Sequence, residues 1–261
     1  MKSVIIYTYF MSPSSDYNLS FFVKKELTYK CNIDYIIVIN GHIYNKDITF
    51  PILDNLKIIQ RINIGFDFGC HNAALKYLSS KNKTYDYYFF MNSGVIGPIL
   101  PDNFIETHWS NLFIKKINDH VKLVGTTIVC LPHNDAGGYG PKIEGFFFML
   151  DNIGLSLLIK QQNIFCDHPN KYSAIVNGEY GLSNCILKNG YTIDCMLPKY
   201  QNIDWCDINN YTLNNNLHPS RKNSFYGESI NPYDVIFHKW FWHGNDNVNF
   251  DIVEQYVNKN L

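Results

Sequence analysis

Short apolar runs alternate with segments of helical spacing along the first ~130 positions of the chain. Val4–Phe10, Tyr35–Asn40, Leu56–Ile62, Tyr87–Met91 and Leu123–Cys130 read as strands, because unbroken apolar runs suit strands buried on both faces. Between them, Tyr17–Leu27, His71–Leu78 and Asn111–Asn118 carry the spacing of helices, and a Ser/Asp-rich turn ahead of Tyr17 can cap the first of these. Strands separated by helices imply right-handed crossovers and a mainly parallel sheet. The second half changes character. Glu144–Leu150 reads as a strand, Gly154–Gln161 and Gly178–Lys188 as helices, and Thr192–Leu197 as a short strand. Asn202–Glu228 is polar and irregular, with three asparagines at 214–216, before apolar character returns at Val235–Phe237. A long irregular segment followed by ordered-looking sequence predicts a loop draped over a binding site. The expected fold is α/β, a Rossmann-type and mainly parallel sheet flanked by helices, with residues 1–261 forming one domain.

Composition narrows the function. Hydrophobic residues make up 46% of the 261 and charged residues 17%, which is globular rather than disordered. The formal net charge is −1 and Lys and Arg never form a run of four, which argues against a nucleic-acid partner, since phosphate tracking needs a concentrated basic surface. The apolar part of the amino terminus is too short for a signal peptide, and no window reaches the roughly 18 apolar residues of a membrane span. The expectation is a soluble, cytoplasmic protein with no transmembrane segment. The seven cysteines are odd in number and contain no CxxC pair, so buried free thiols are expected, with no structural zinc and no redox cofactor.

Candidate chemistry concentrates where apolar runs end. After Tyr87–Met91 come Asn92, Ser93 and Gly94, which cannot continue a buried strand. A parallel sheet binds ligands beyond the carboxyl ends of its strands, so this turn is either the lip of a site or a plain chain reversal. Arg61–Gly69 places Asn63 and Asp67 among two glycines ahead of a helix, where backbone can approach a ligand closely and helix N–H groups are free. It is neither a Walker loop nor GxGxxG, and Asp67 fits a helix cap as well as a ligand. Glu144 and Asp151 bracket a phenylalanine run that reads as core, and the flexible Gly137–Gly140 stretch offers Tyr139 as a face for a sugar. His238, Trp240, Trp242 and His243 read either as an aromatic cluster closing the fold or as a functional one. His108, His120, His168 and His218 lack ligand spacing.

Five segments in order carry a resemblance: Asn63–Gly69, Phe89–Pro98, Val121–Cys130, Gly178–Tyr191 and Asp234–Lys239. Together they resemble glycosyltransferases found in large DNA viruses, fungi and algae and, more distantly, the rhamnan-synthesis type, across roughly residues 3–240. The resemblance implies a GT-A fold, with 1–130 as a nucleotide-sugar-binding half and 131–261 as a smaller acceptor-binding half and carboxyl-terminal loop. It implies transfer of a sugar from a UDP- or GDP-sugar to a hydroxyl of a glycan or glycoprotein. Thr8, Tyr9, Phe10, Arg61, Asn63, Asp67, Asn92, Ser93 and Gly94 would serve the donor, and Tyr139, Glu144, Asp204 and Trp205 the acceptor. Glu179, at the expected start of a helix whose dipole favours its ionised form, would be the catalytic base of an inverting reaction; its alternative is an acid that only stabilises that helix. Such enzymes usually end the strand matching 87–91 in Asp-x-Asp, whose carboxylates hold a divalent cation. Here the position reads Asn92-Ser93-Gly94. Two solutions stay open: Mn²⁺ or Mg²⁺ held with help from Asn92 and His238, or a metal-free site neutralised by Arg61, Lys239 or Arg221. A non-catalytic carbohydrate- or nucleotide-binding module is the main rival. A sugar-1-phosphate nucleotidyltransferase is disfavoured, because Thr8–Asp16 contains no basic residue.

Overall fold

Alternate residues of the first strand serve two different cores. A computed structural model of the chain describes residues 1–27, 32–131, 138–239 and 250–260. In β1 (Ser3–Tyr9), Val4 and Ile6 face one layer of helices, while Ile5, Tyr7 and Tyr9 face the other. After α1 (Pro13–Glu26), the same alternation continues through β2 (Ile33–Asn40) and β3 (Leu56–Arg61). α1 begins at Ser12, whose Oγ accepts the Ser15 N–H at 3.2 Å, with Pro13 in the first turn where its missing N–H costs nothing.

Next come α2 (Phe66–Ser80) and β4 (Tyr87–Asn92), then α3 (Ser110–Ile114), β5 (Val121–Gly125), β6 (Ile128–Val129), β7 (Lys142–Ile143), β8 (Phe147–Asp151) and α4 (Asn152–Ile159). A single turn α5 (Lys171–Ser173) runs into a π-helical stretch, Ala174–Tyr180, and on into α6 (Gly181–Lys188). β9 (Thr192–Cys195), α7 (Pro232–Val235) and α8 (Phe250–Asn260) complete the order.

The main sheet runs β3-β2-β1-β4-β8-β5-β9. Every pairing is parallel except those of β8, which is antiparallel to both β4 and β5. The expected mixed α/β architecture with a mainly parallel sheet is present. The chain moves from β1 outward to β2 and β3, then returns to place β4 on the other side of β1. Right-handed crossovers in opposite directions put α1 and α2 on opposite faces, and leave a crevice between the carboxyl ends of β1 and β4. α2, α4 and α6 cover the face holding Phe90 and Phe148, whereas α1 and α3 cover that holding Phe89 and Phe147.

Several boundaries differ from expectation, each for a local reason. Leu123–Cys130 is not one strand: beyond Gly125 the chain leaves the sheet, the Gly125 and Thr126 carbonyls both accept the Met196 N–H, and Ile128–Val129 pairs with β7 instead. The strand expected from Glu144 begins only at Phe147, because Gly145 and Phe146 turn the chain into the sheet. The helix expected at Gly178 belongs to a longer helical stretch that starts at Lys171. Asn202–Glu228 carries 3₁₀ turns and six asparagine or tyrosine residues with positive φ, at 202, 214, 215, 216, 223 and 226, ordered by local side-chain bonds. Six cysteines are described, all free, and Cys31 lies outside the described residues. No helix among the described residues is long and apolar enough to cross a membrane.

Candidate functional site

Strand parity assembles the site. Thr8 and Asn92 are register partners at the carboxyl ends of β1 and β4, and both share the face of Ile6 and Phe90, toward α2. The first turn of α2 brings Asp67 between them. Its carboxyl accepts the Asn92 amide N–H at 2.6 Å and the Thr8 hydroxyl at 3.3 Å. Burial raises the Asp67 pKa, the Asn92 and Thr8 bonds and the Lys239 charge oppose the rise, and Glu179 adds to it. Asp67 is therefore no helix cap: the cap position is Gly65, at φ 74°, a left-handed conformation that favours glycine. A Cβ at Gly65 would also strike Asp167.

Glu179 stands beside Phe68 of α2, on the same face of the sheet as Asp67, and its charge adds to the rise in the Asp67 pKa. Its side chain lies against Gly145, where an added Cβ would stand 3.1 Å from Glu179 Cγ and 3.3 Å from the Phe68 ring. The carboxylate is paired at 3.1 Å with Lys142 Nζ, and this ammonium lies 4.9 Å from the centre of the Tyr180 ring. The expected helix-dipole argument does not apply to Glu179, because the residue stands inside a continuous helical stretch rather than at an amino terminus. Lys142 supplies the positive charge instead. A π-helical turn within an α-helix is a known mark of functional sites.

The remaining donor-side residues divide. The Ser93 N–H donates to the Thr8 carbonyl at 2.8 Å and its own carbonyl accepts from Asn18 at 2.9 Å, so it fixes the turn by its backbone. The Gly94 N–H donates to Asn92 Oδ1 at 2.8 Å. Phe10 is 52% exposed at the mouth, but Tyr9 points to the opposite core, its hydroxyl on Asp16 at 2.6 Å, and is corrected from a donor contact to a structural residue by the parity of β1. Arg61 is engaged by Asp167 at 2.5 Å. Exposed Asn63 lines a pocket of about 420 Å³ with Gly65, Phe66, Asp167 and His168. A larger cavity of about 1270 Å³ lies at the amino ends of the strands, where Lys83 and Tyr85 both bind Asp34.

On the acceptor side two expectations are corrected. Glu144 is 4% exposed, accepting from Thr127 at 2.7 Å and Ser220 at 2.8 Å and paired with His218 at 3.0 Å. Burial pushes its pKa up, and the His218 interactions, Lys239 and Thr127 outweigh that and leave it at about 2. Glu144 therefore pins the irregular segment onto the sheet rather than meeting an acceptor. Trp205 is 1% exposed and packs edge-on against Tyr200, with no face open to a sugar. Asp204 is exposed and binds the Cys206 N–H at 2.9 Å. Tyr139 is 45% exposed, and Tyr211 stands against it with ring centres 5.8 Å apart. Lys142, Ser220, His218 and Tyr211 carried no local sequence signal, since each acquires its partner only through the fold. Gly137, Trp240, Trp242 and His243 lie outside the described residues.

His238 is buried, and its backbone pairs with Ile96 in both directions, at 2.8 and 3.0 Å. Among the described residues no group of three or more His, Cys, Asp or Glu side chains could hold a metal ion. The oxygens nearest the expected position are also spoken for: both Asp67 oxygens and Asn92 Oδ1 accept hydrogen bonds from this chain. This donor set does not fit a hard divalent cation.

No family profile and no curated protein matches the chain by sequence. Among solved structures it is similar to galactosyltransferase LgtC bound to donor and acceptor sugar analogs, at 10% identity and TM-score 0.48, covering 98% of this chain and 95% of that one. It is similar to a mannosyltransferase from Pyrobaculum calidifontis in complex with GDP-Man and Mn²⁺, at 12% identity and TM-score 0.47, covering 74% and 54%. A third likeness is to apo GlyE of Streptococcus pneumoniae, at 10% identity and TM-score 0.41, covering 98% and 60%. The aligned part thus spans less than two thirds of the mannosyltransferase and of GlyE. All three are glycosyltransferases, and at these identities the likeness is one of chain path.

Proposed function

We propose that this chain is a glycosyltransferase that moves a sugar from a UDP- or GDP-sugar to a hydroxyl of a glycan or glycoconjugate. The observation that carries the proposal is the meeting of Thr8, Asp67 and Asn92 at the switch point of the sheet, with the Glu179–Lys142 pair across Gly145. Open α/β sheets bind nucleotides at such points. The motifs that resemble glycosyltransferases supply Asp67, Asn92 and Glu179, which adds to the reading.

In the proposed reaction the nucleotide lies along the ends of β1 and β3, past Phe10 and Asn63. Asp67 and Asn92 face the sugar and the diphosphate. Glu179, held by Lys142, takes the proton of the acceptor hydroxyl as that oxygen attacks the anomeric carbon. The sugar–phosphate bond breaks on the opposite side, so the product is inverted. Exposed Tyr139, with half-buried Tyr211 against it, offers an apolar face to the acceptor sugar, with Asp204 on the same segment as Tyr211.

The test is a panel of nucleotide sugars incubated with the full chain and mixed glycan acceptors, read by mass spectrometry. A mass increase on an acceptor with release of nucleoside diphosphate supports the proposal. Nucleotide binding with neither transfer nor hydrolysis across the panel favours a binding module, a reading to which the neutral Asn92 lends itself.

A further inference from the structure

We infer that the pocket between the Asn63–Phe66 turn and the Asp167–Pro169 segment receives the base of the donor, and that Asp167 selects guanine there. The inference rests on the glycosyltransferase reading above and narrows its donor class to GDP-sugars.

Two glycines shape the pocket. Gly65 and His168 form an antiparallel bridge, which sets the two segments side by side. A Cβ on either Gly65 or Gly69 would strike the Asp167 carboxylate, so both glycines make room for this one side chain. Next to that notch Phe66 stands at φ 57°, a left-handed conformation that an aromatic residue rarely adopts. Such strain persists where the surroundings hold it, and it gathers at ligand clamps. Its outcome here is a large ring left 42% exposed on the wall of a cavity of about 420 Å³, beside the exposed Ile64. An aromatic ring of this kind gives a nucleobase a face to stack on. The next residue, Asp67, reaches Asn92 at the end of β4, so one step of chain joins the pocket to the crevice proposed for the diphosphate.

Asp167 supplies the polar chemistry of this cavity. Its side chain is 47% exposed and lines the pocket. Oδ1 accepts from Arg61 Nη2 at 2.5 Å, which anchors the carboxylate, and Oδ2 takes no hydrogen bond among the described residues. A carboxylate offers acceptors only, and Oδ1 keeps a second lone pair beside the one Arg61 uses. Guanine presents two adjacent donors, N1–H and its 2-amino group, which match the two oxygens. Uracil presents one N–H between two carbonyl oxygens, and those oxygens repel a carboxylate. Adenine sets its amino group beside a ring acceptor, so only one of the two bonds can form. A site built to accept from both groups of guanine rejects a base that lacks one of them.

Isothermal titration calorimetry tests this on the full chain, with and without Mn²⁺, using the diphosphates of guanosine, inosine, xanthosine and uridine. Inosine lacks the 2-amino group, and xanthosine carries a carbonyl in its place. Wild type is expected to bind GDP about tenfold or more tighter than UDP or inosine diphosphate, the usual discrimination of a bidentate pair. Asp167→Asn keeps an acceptor for Arg61 and adds an N–H, so it is expected to lose GDP and to prefer xanthosine diphosphate. Misfolding cannot produce that inversion. Phe66→Ala is expected to weaken GDP by about tenfold through lost stacking. UDP or inosine diphosphate binding as tightly as GDP overturns the inference while leaving the glycosyltransferase reading in place. So does a folded Asp167→Asn variant with the wild-type preference, or a Phe66→Ala variant with wild-type affinity. Should Asp167→Asn fail to fold, the wild-type series and Phe66→Ala still decide. Absence of binding by every nucleotide in both conditions removes the donor site, and the reading beneath it falls too.

Discussion

The Asn92 side-chain amide donates to the Asp67 carboxyl at 2.6 Å, joining the end of β4 to the first turn of α2. That bond joins the strand and helix ends at the crevice where the sheet changes direction, and it favours the ionised form of an acid whose charge burial makes costly.

Asn92→Asp turns this donor into a second carboxyl facing Asp67. The variant is expected to lose about 1–3 kcal/mol at pH 7, the usual cost of leaving a buried charged group unsatisfied. It is also expected to gain stability from Mn²⁺ that the wild type lacks. Thermal melts in EDTA and in Mn²⁺ measure both, and an EDTA melt equal to wild type contradicts the account.

Glu179→Gln keeps the shape and removes the base. Turnover is expected to fall by about 10²–10⁴, the usual contribution of a positioned base, with the donor Kd little changed. Steady-state rates and calorimetry separate the two effects. Turnover near wild type would remove Glu179 from the mechanism.

His71 is fully buried among Phe68, Phe90 and Phe148, and neither ring nitrogen has a hydrogen-bond partner among the described residues. Burial lowers its pKa to about 3 from the ordinary 6.5. The unfolded chain therefore takes up a proton that the folded one refuses. Stability contributed by neutral His71 is present above pH 6.5 and falls by about 1.4 kcal/mol per pH unit below it, down to about pH 3. His71→Leu is expected to flatten that window. Denaturant melts between pH 7 and pH 4 check it, and parallel curves for the two proteins would refute it.

The Glu144–His218 pair pins the irregular segment to the sheet. His218→Ala leaves a buried carboxylate without that partner and is expected to cost about 3–5 kcal/mol. Because the Glu144 pKa is depressed to about 2, its contribution is present above the ordinary 4.5 and is lost as pH falls toward 2. Limited proteolysis of the variant is expected to cut within 202–228 first. Cleavage at wild-type rates would show that the pair does not hold this segment.

The layered fold was legible because strands such as β2 and β4 carry continuous apolar runs, Asn92 stood out as a polar residue closing such a run, and Asp67 as an acid in a glycine turn ahead of a helix. Their meeting follows from parity and from the order of strands, which no local pattern specifies. Tyr9 sat in the same sequence cluster as Thr8, yet one step along a strand sends it to the other core. Glu144 and Trp205 looked available because polar and aromatic residues in loops often meet ligands, but their burial depends on Ser220, His218 and Tyr200 arriving from elsewhere in the chain. The π-helical setting of Glu179 left no trace in composition or spacing.

The central claim is that the nucleotide binds across the ends of β1, β3 and β4. Hydrogen–deuterium exchange of the full chain, with and without a saturating nucleoside diphosphate, tests it most directly. The account predicts protection of peptides containing residues 8–10, 62–67, 92–94 and 179. Protection confined to the opposite cavity, in peptides containing Lys2, Asp34 and Lys83, or no protection at all from a ligand that binds, would contradict it.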